Sequence, residues 1–456
     1  VRDLDLGSTG HIHLVGIGGA GMSAIANVLV KMGHEVSGSD LKDSTVLERL
    51  RALGVTVAIG HDARNIAGAQ AVAVSSSIPA TNVETVAARD SGIAVWSRAE
   101  TLRAITAQRA TIAVSGTHGK TTTSSMLALM LVEAKMNPSF LVGGEMNEIG
   151  TNAAWDAGEW LVVEADESDG TFLTLHSKIA LVTNVEADHL EHYGSFGALE
   201  VAFHEFLASA RLGRFICADD PVARRCAPEG AISYGFSPDA NWRIERFSGG
   251  RSNIAFDLVG NTEDLGRFEL PVPGAHNALD AAGAIAVAHS LSVDVEDIRR
   301  ALARFAGVAR RFEFRGEKQG VTFVDDYAHL PSEVQATLSA ARRGGWGRIV
   351  CVFQPHRFSR VAALAREFRD AFVDADIVVV TSVFSAGETP IPGITGKLIL
   401  DGVLEAHPDT HAEYIPQRGD VVEYLKRVLR PGDCCLSMGA GDLTSLPAEL
   451  LADKTW

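Results

Sequence analysis

Residues 114–123 read Val114-Ser115-Gly116-Thr117-His118-Gly119-Lys120-Thr121-Thr122-Thr123. The run Thr111–Val114 before it is short, apolar and β-rich, and Thr121–Ala134 after it has helical character. Glycines in such a turn let successive backbone N–H groups curl around a phosphate. The free N–H groups and positive end of the following helix favour the same anion. Lys120 can then reach the outer phosphates, and the Thr121 hydroxyl is placed for Mg²⁺. The general phosphate-loop pattern asks for glycine at 114, where Val114 stands, so this is a shortened variant. The plainer alternative is a glycine turn with an incidental lysine.

The strand–loop–helix pattern occurs twice more. His11–Val15 leads through Gly16–Gly21 into Met22–Met32, and Arg348–Phe353 leads through Gln354–Arg357 into Phe358–Phe372. Continuous apolar runs such as Ile349–Phe353 suit strands buried on both faces. Further strand candidates are Trp160–Val163, Ile179–Thr183, Val321–Val324, Ile377–Thr381 and Cys434–Ser437. Alternating strands and helices predict an α/β protein with parallel sheets. Ser233–Pro273, richer in Ser, Asn, Gly and aromatic residues, is expected to form an antiparallel patch.

With 456 residues, about three domains are expected. The divisions fall at 1–106, 107–309 and 310–456. Hydrophobic residues make up 46% and charged residues 21%, an ordinary globular composition. A net charge of -16 opposes nucleic-acid binding. The five cysteines, at 217, 226, 351, 434 and 435, contain no C-x-x-C pair and read as reduced thiols without a zinc site. The acidic start Val1–Leu6 lacks the apolar core of a signal peptide, and no run of 18 apolar residues is present. A cytoplasmic protein off the membrane is expected.

A phosphate loop needs a metal and a means of organising charge. Glu164 follows the strand Trp160–Val163 and opens Glu164-Ala165-Asp166-Glu167-Ser168-Asp169; His189 closes Thr183-Asn184-Val185-Glu186-Ala187-Asp188-His189. A carboxylate at a strand end can hold Mg²⁺ directly or through water. Read alone, these acids are solvated loop residues; beside a phosphate loop they become Mg²⁺ candidates. Gly16-Ile17-Gly18-Gly19-Ala20-Gly21 satisfies G-x-G-x-x-G, with Asp40 about 20 residues on. It cradles a diphosphate on a helix start and offers an acid to a ribose. NAD and a UDP-sugar both carry those groups, and a packing turn is the bland alternative.

Taken together, these motifs resemble those of the Mur ligases over nearly the whole chain. The resemblance rests on GIGGAGMSAIA from Gly16, Ser39-Asp40, Gly60-His61 and Ser75-Ser76-Ser77-Ile78-Pro79 in the first third. It continues through GTHGKTTT from Gly116, EADESD from Glu164, TNVEADH to His189 and Gly274-Ala275-His276-Asn277. Later it covers Arg310-Arg311-Phe312-Glu313, Asp325–His329, Gln354–Arg357, Ser385–Glu388 and Gly439–Asp442. It implies a UDP-binding Rossmann-like domain, a central P-loop ATPase and a Rossmann-like C-terminal domain that brings the amino acid. The implied reaction uses ATP and Mg²⁺ to activate a muramate carboxylate as an acyl phosphate, which an amino acid's amine then attacks. The alanine-adding branch, acting on UDP-N-acetylmuramate and L-alanine in peptidoglycan precursor synthesis, is the nearest match; a monomer or weak homodimer is expected.

The resemblance also implies roles. Gly116, Thr117, His118, Gly119, Lys120, Thr121 and Thr122 take the ATP phosphates, with His276, Asn277 and Arg311 as further ATP contacts. Lys120, Glu164, His189 and Arg311 serve catalysis, and Thr121, Glu164 and His189 hold the metal. Gly16, Gly18, Gly19, Gly21, Met22, Asp40, His61, Ser76 and Arg98 meet the UDP substrate. Tyr327, His329, His356, Arg357 and Arg360 line the amino-acid cleft, the two arginines sharing a face at a helix start. Structural roles remain open for His276, Asn277, Arg311, His329 and His356.

Three departures stand out. No lysine occurs from 179 to 317, so the carbamylated lysine of related ligases has no candidate there. Asp280 replaces the second asparagine of an HNxxN pattern, and Ala328 and Leu330 replace Gly and His of DDYGHHP. Two other readings remain: an NAD-dependent oxidoreductase, which leaves GTHGKTTT unexplained, and a nucleotide-binding scaffold without catalysis. Within the family, a ligase adding another amino acid or a recycled peptide is the alternative.

Overall fold

The computed structural model describes residues 6–260, 263–454 and 456. Residues 1–5, most of the acidic start discussed above, lie outside the described residues. Three sheets carry the architecture. The first has the order β3 (Thr56–Ile59), β2 (Glu35–Asp40), β1 (His11–Val15), β4 (Ala71–Val74), β5 (Ala94–Ser97), all parallel. This order reverses beside β1, so loops at the strands' carboxyl ends diverge and leave a crevice for a ligand.

In the central sheet, β6 (Ala110–Ser115) lies between β9 (Trp160–Glu164) and β10 (Ser177–Val182), parallel to both. Consequently, the loops after all three strands emerge at one end, beside the phosphate loop. Beyond β9 come β7 (Ser139–Met146) and β8 (Thr151–Ala154); beyond β10 come β11 (Gly213–Cys217), β12 (Ile232–Gly235), β13 (Trp242–Gly249), β14 (Ile254–Gly260) and β15 (Asp264–Leu270). Neighbours β13, β14 and β15 are joined by connections far shorter than the dozen residues a parallel crossover needs, so they run antiparallel. The antiparallel patch expected within Ser233–Pro273 is therefore present.

The third sheet has the order β16 (Glu313–Lys318), β17 (Val321–Asp326), β21 (Asp433–Met438), β18 (Arg348–Phe353), β19 (Ile377–Val380), β20 (Ala412–Tyr414). Only β16 is antiparallel. Ile349, Cys351 and Phe353 join one core with Leu338 and Val403, while Val350 and Val352 join another with Val421 and Leu425. Alternate residues of one strand thus bury on opposite faces, which is why that run is apolar throughout. All five cysteines are free and buried.

The helix expected over Phe358–Phe372 is shorter. It spans Phe358–Leu364, followed by a 3₁₀ turn at Glu367–Asp370. The tightened segment sets both Phe368 and Phe372 against Phe353, with ring centroids 5.2 and 5.5 Å away. The chain divides into two compact units, Val1–Glu245 with Asp257–Gly266 and Leu279–Arg304, and Arg246–Phe256 with Arg267–Ala278 and Phe305–Trp456. Among the described residues, no helix is long and apolar enough to cross a membrane.

Candidate active site

The phosphate loop joins β6 to the helix Lys120–Glu133. Two backbone positions explain its glycines. Gly116 has φ +131, and a Cβ there would lie 2.1 Å from Thr183 Oγ1. Gly119 has φ +78, and a Cβ would lie 2.3 Å from Asp280 Oδ1. The segment after β10 buttresses the loop. Thr117 N donates to Asn184 O at 3.0 Å, His118 N to Asn184 Oδ1 at 2.8 Å, and Glu186 N to Thr117 Oγ1 at 2.8 Å. These contacts hold the loop's curvature without a ligand.

Lys120 is nearly buried. Its Nζ donates to Gly116 O at 2.5 Å, Thr117 O at 3.2 Å and Glu167 Oε1 at 2.9 Å. An ammonium has three donors, so the protein already engages all of them. Burial alone would lower its pKa, but Glu167, Asp166 and Glu164 outweigh it and hold the ammonium above its ordinary range. Burial of Asp166 is likewise outweighed, chiefly by Lys120 and the Ser168 N–H, which keep its carboxyl below the usual range.

Glu164 ends β9 and accepts from Gly143 N at 2.7 Å. His189 has φ +56, with Nε2 3.3 Å from Asp188. Among the described residues, no group of three or more His, Cys, Asp or Glu side chains is arranged to hold a metal. Mg²⁺, however, keeps several waters and takes only one or two protein carboxylates when it shares phosphate ligands. The oxygen donors of Glu164 and Thr121 suit that coordination.

The first glycine loop lies in the same unit. Its following helix, Ala20–Lys31, starts at the carboxyl end of β1. Asp40 Oδ2 accepts from Gly18 N at 2.8 Å, so the acid expected at a ribose also closes the loop itself. Met22 is a correction to the binding set as far as its side chain is concerned. That side chain is 1% exposed within the apolar core, so only its backbone can face a ligand. Ser76 is exposed in the turn after β4. A cavity of about 190 Å³ runs between Gly21 and Arg98 on one side and Gly143, Glu164 and Asp166 on the other. It brings the UDP-type loop and the carboxylates of the phosphate-loop region onto one space.

The second unit gathers the remaining candidates. Arg311 Nη1 lies 3.4 Å from Glu333 Oε1, and its guanidinium sits 5.2 Å over the Tyr327 ring. His329 and His356 pack edge to face at 5.7 Å, and Arg360 Nη1 lies 3.0 Å from His356 Nδ1. Burial pushes His276, His329 and His356 down to about 4, and neighbouring arginines contribute in each case. All three are therefore neutral at pH 7. Asn277 Nδ2 donates to Pro273 O at 2.6 Å, which ties the start of the helix Ala275–Ser290 to the preceding turn. The expectation that Arg357 and Arg360 share a helix face is corrected. Arg357 has φ +66 just before the helix begins, so the helical repeat does not relate them.

Several residues outside the predicted set complete these clusters: Glu167 on Lys120, Asn184 on the loop, Asp280 beneath Gly119 and Glu333 beside Arg311 and His329. Glu167 and Asn184 lie inside the quoted motifs, which was the available signal; Asp280 stood out only as a departure.

Three family models tile the chain. The one described as Mur ligase family, catalytic domain, matches residues 11–110; the Mur ligase middle domain matches 114–288; the Mur ligase, glutamate ligase domain, matches 310–441. This chain belongs to the Mur ligase family. It is 44% identical to a UDP-N-acetylmuramate–L-alanine ligase of a Bradyrhizobium species, over 97% of this chain and 98% of that one. The corresponding ligase of Myxococcus xanthus is 43% identical, over 96% and 94%. Among solved structures, the UDP-N-acetylmuramate–alanine ligase of Thermotoga maritima superposes with a TM-score of 0.81 at 29% identity, covering 97% of this chain and 98% of that one. A murein peptide ligase from Psychrobacter arcticus shares the fold, with a TM-score of 0.69 at 23% identity and coverage of 97% and 98%. Within this Mur ligase, the α/β domains read from the sequence are those of the family.

Proposed function

We propose that this chain joins L-alanine to the carboxylate of UDP-N-acetylmuramate with hydrolysis of ATP to ADP, a step of peptidoglycan precursor synthesis. The single observation that carries the reading is the cavity between Gly21 and Glu164, with Arg98 and Asp166 on its walls. A UDP-sugar lying on the Gly16–Gly21 loop would reach toward the phosphate loop through that space. The near-full-length similarity to alanine-adding ligases supports the choice of substrate.

Two steps follow from the chemistry. The muramate carboxylate oxygen attacks the γ-phosphorus of ATP, the bond to the bridging oxygen breaks, and ADP leaves. The amine of alanine then attacks the acyl carbon, loses a proton and expels inorganic phosphate, leaving an amide. Lys120 is the cation for the moving phosphoryl group, and the Gly116–Thr122 backbone orients the phosphates. Mg²⁺, when bound, would neutralise phosphate charge; Thr121, Glu164 and His189 are the residues that would hold it. Arg311 is a second cation, with His276 and Asn277 on the nucleotide. Gly16, Gly18, Gly19, Gly21, the Met22 backbone, Asp40, His61, Ser76 and Arg98 serve the UDP moiety. Tyr327, His329, His356, Arg357 and Arg360 form the amino-acid cleft, where guanidinium groups suit the alanine carboxylate. The three domains divide near 107 and 310, and the enzyme works in the cytoplasm.

The test is ADP release in the presence of ATP, Mg²⁺, UDP-N-acetylmuramate and each amino acid in turn. Release should require the muramate and be fastest with L-alanine. ADP formed without either acceptor, or turnover with a tripeptide but not with alanine, overturns the reading.

A further inference from the structure

The three hydrogens of the Lys120 ammonium are engaged by Gly116 O at 2.5 Å, Thr117 O at 3.2 Å and Glu167 Oε1 at 2.9 Å. To take hold of a phosphate, the ammonium must release at least one of these partners. What each partner would lose decides which one goes. The Glu167 side chain is 3% exposed, and its second oxygen, Oε2, is buried without a hydrogen-bond partner. Lys120 Nζ compensates the carboxylate's charge there. A buried carboxylate stripped of its cation costs far more than a neutral carbonyl that loses one donor. The Thr117 carbonyl is neutral, half-buried and held by the longest of the three bonds, so it yields most readily.

The carboxylate is also firmly placed. Glu167 lies in the loop after β9, and Lys120 opens the helix after β6. Those strands are parallel neighbours, so both segments leave the sheet at the same end. Glu167 O accepts from Gly170 N at 3.1 Å and from the Tyr193 hydroxyl. Its backbone is thereby fixed by its own turn and by the short helix Leu190–Tyr193, which follows His189. A lysine stem has much rotamer freedom to lose. Anchoring the ammonium on a fixed carboxylate removes that freedom before ATP arrives, so the cation stands ready when charge moves.

We propose that Glu167 is a positioning residue, the fixed pivot about which Lys120 turns: on ATP binding the ammonium exchanges the Thr117 carbonyl for a phosphate oxygen and keeps Glu167 as its buried counterion. This rests on the reading of Lys120 as the cation for phosphoryl transfer and deepens it. The reach of the ammonium toward the phosphates is then set by a carboxylate on the neighbouring strand's loop, not by the glycine loop alone. The opposite arrangement, in which Glu167 lets go, would make the carboxylate a competitor of the phosphate, and the two differ in what removing its charge does.

The experiment is a cycle of four full-length proteins: unaltered, Glu167→Gln, Lys120→Ala and the double variant. Glutamine keeps the size and an acceptor oxygen of Glu167 but not the charge that holds the ammonium. In Glu167→Gln, kcat for ADP release should fall at least about tenfold, the scale of a displaced transition-state donor. ADP with Mg²⁺, measured by calorimetry, should bind no more tightly than to the unaltered protein. In the Lys120→Ala background, Glu167→Gln should change kcat by less than about twofold, because its effect passes through the ammonium. Glu167→Asp keeps the charge but draws it back by one methylene; it should lose turnover in the same way and serves the test where Glu167→Gln does not fold. An unchanged kcat in folded Glu167→Gln or Glu167→Asp overturns the proposal, as do losses from Glu167→Gln and Lys120→Ala that simply multiply. ADP binding to Glu167→Gln about threefold tighter or more does the same, since it marks a carboxylate that competes with phosphate. Normal turnover in Lys120→Ala removes Lys120 from the chemistry, and the proposal with it. ADP release that needs neither muramate nor alanine defeats the ligase reading alone, because the cycle still reports on phosphoryl transfer.

Discussion

Gly119→Ala offers a direct test of why the phosphate loop has its shape. Two separate costs are built into that position. With φ +78, a Cβ meets the left-handed penalty of about 1–2 kcal/mol. The same Cβ would sit 2.3 Å from Asp280 Oδ1, which also accepts from the Thr123 hydroxyl at 3.1 Å. Asp280 is 7% exposed, so it can yield only by turning away and giving up that bond. A hydrogen bond to a charged group contributes about 1.5–3 kcal/mol. Gly119→Ala should therefore destabilise its unit by about 2.5–5 kcal/mol, lowering its thermal midpoint by about 5–20 °C at roughly 2–4 °C per kcal/mol. In an Asp280→Ala background only the backbone penalty remains, so the same substitution should cost about 1–2 kcal/mol. Thermal unfolding of the four proteins in this cycle gives the coupling directly. Additive effects, within about 0.5 kcal/mol, would refute the claim that Asp280 packs against the loop.

Lys120→Ala should reduce alanine-dependent ADP release at least about 10²-fold, the scale of one transition-state donor; near-normal turnover would remove Lys120 from the chemistry. Replacing His329 should flatten a pH slope in stability. Its pKa falls from 6.5 to about 4 on folding, so between those values the unfolded chain binds a proton that the folded one does not. The stability tied to its neutral form is thus complete above about pH 6.5 and lost as pH falls toward 4, by up to about 3 kcal/mol. Urea titrations of the unaltered protein and His329→Gln at pH 7.5 and 5 should show the difference shrink on acidification, and a constant gap would contradict it. Arg348 grips the buried Asp433 with two bonds, at 3.0 and 2.6 Å. Arg348→Ala should destabilise the third-sheet domain by about 2–4 kcal/mol in denaturant titrations, and Arg348→Lys should recover little of it, because an ammonium cannot form the paired contact.

Much of the fold was legible locally. The runs His11–Val15 and Arg348–Phe353 are strands with those same limits, because continuous apolar stretches between turn residues have few alternatives. The two glycine loops were legible because only glycine tolerates such backbone turns beside a helix start. The length of the helix at Phe358 was not, since whether the chain tightens after Leu364 depends on packing of Phe368 and Phe372 against a strand. Nor did the spacing of Arg357 and Arg360 reveal the positive φ that separates them.

By itself, then, the sequence determined where phosphate-binding loops occur and which acids follow the strands beside them. Those properties depend on backbone geometry and on neighbours a few residues away. Only the tertiary structure decided which side chains meet: Glu167 with Lys120 across 47 positions, Asp280 with Thr123 across 157, and Ser39 with Glu84 across 45. In each case, chain segments distant in sequence bury a charged or polar group where water cannot satisfy it. The partner is set by the sheet order and the packing of helices against it, which local residue patterns do not contain.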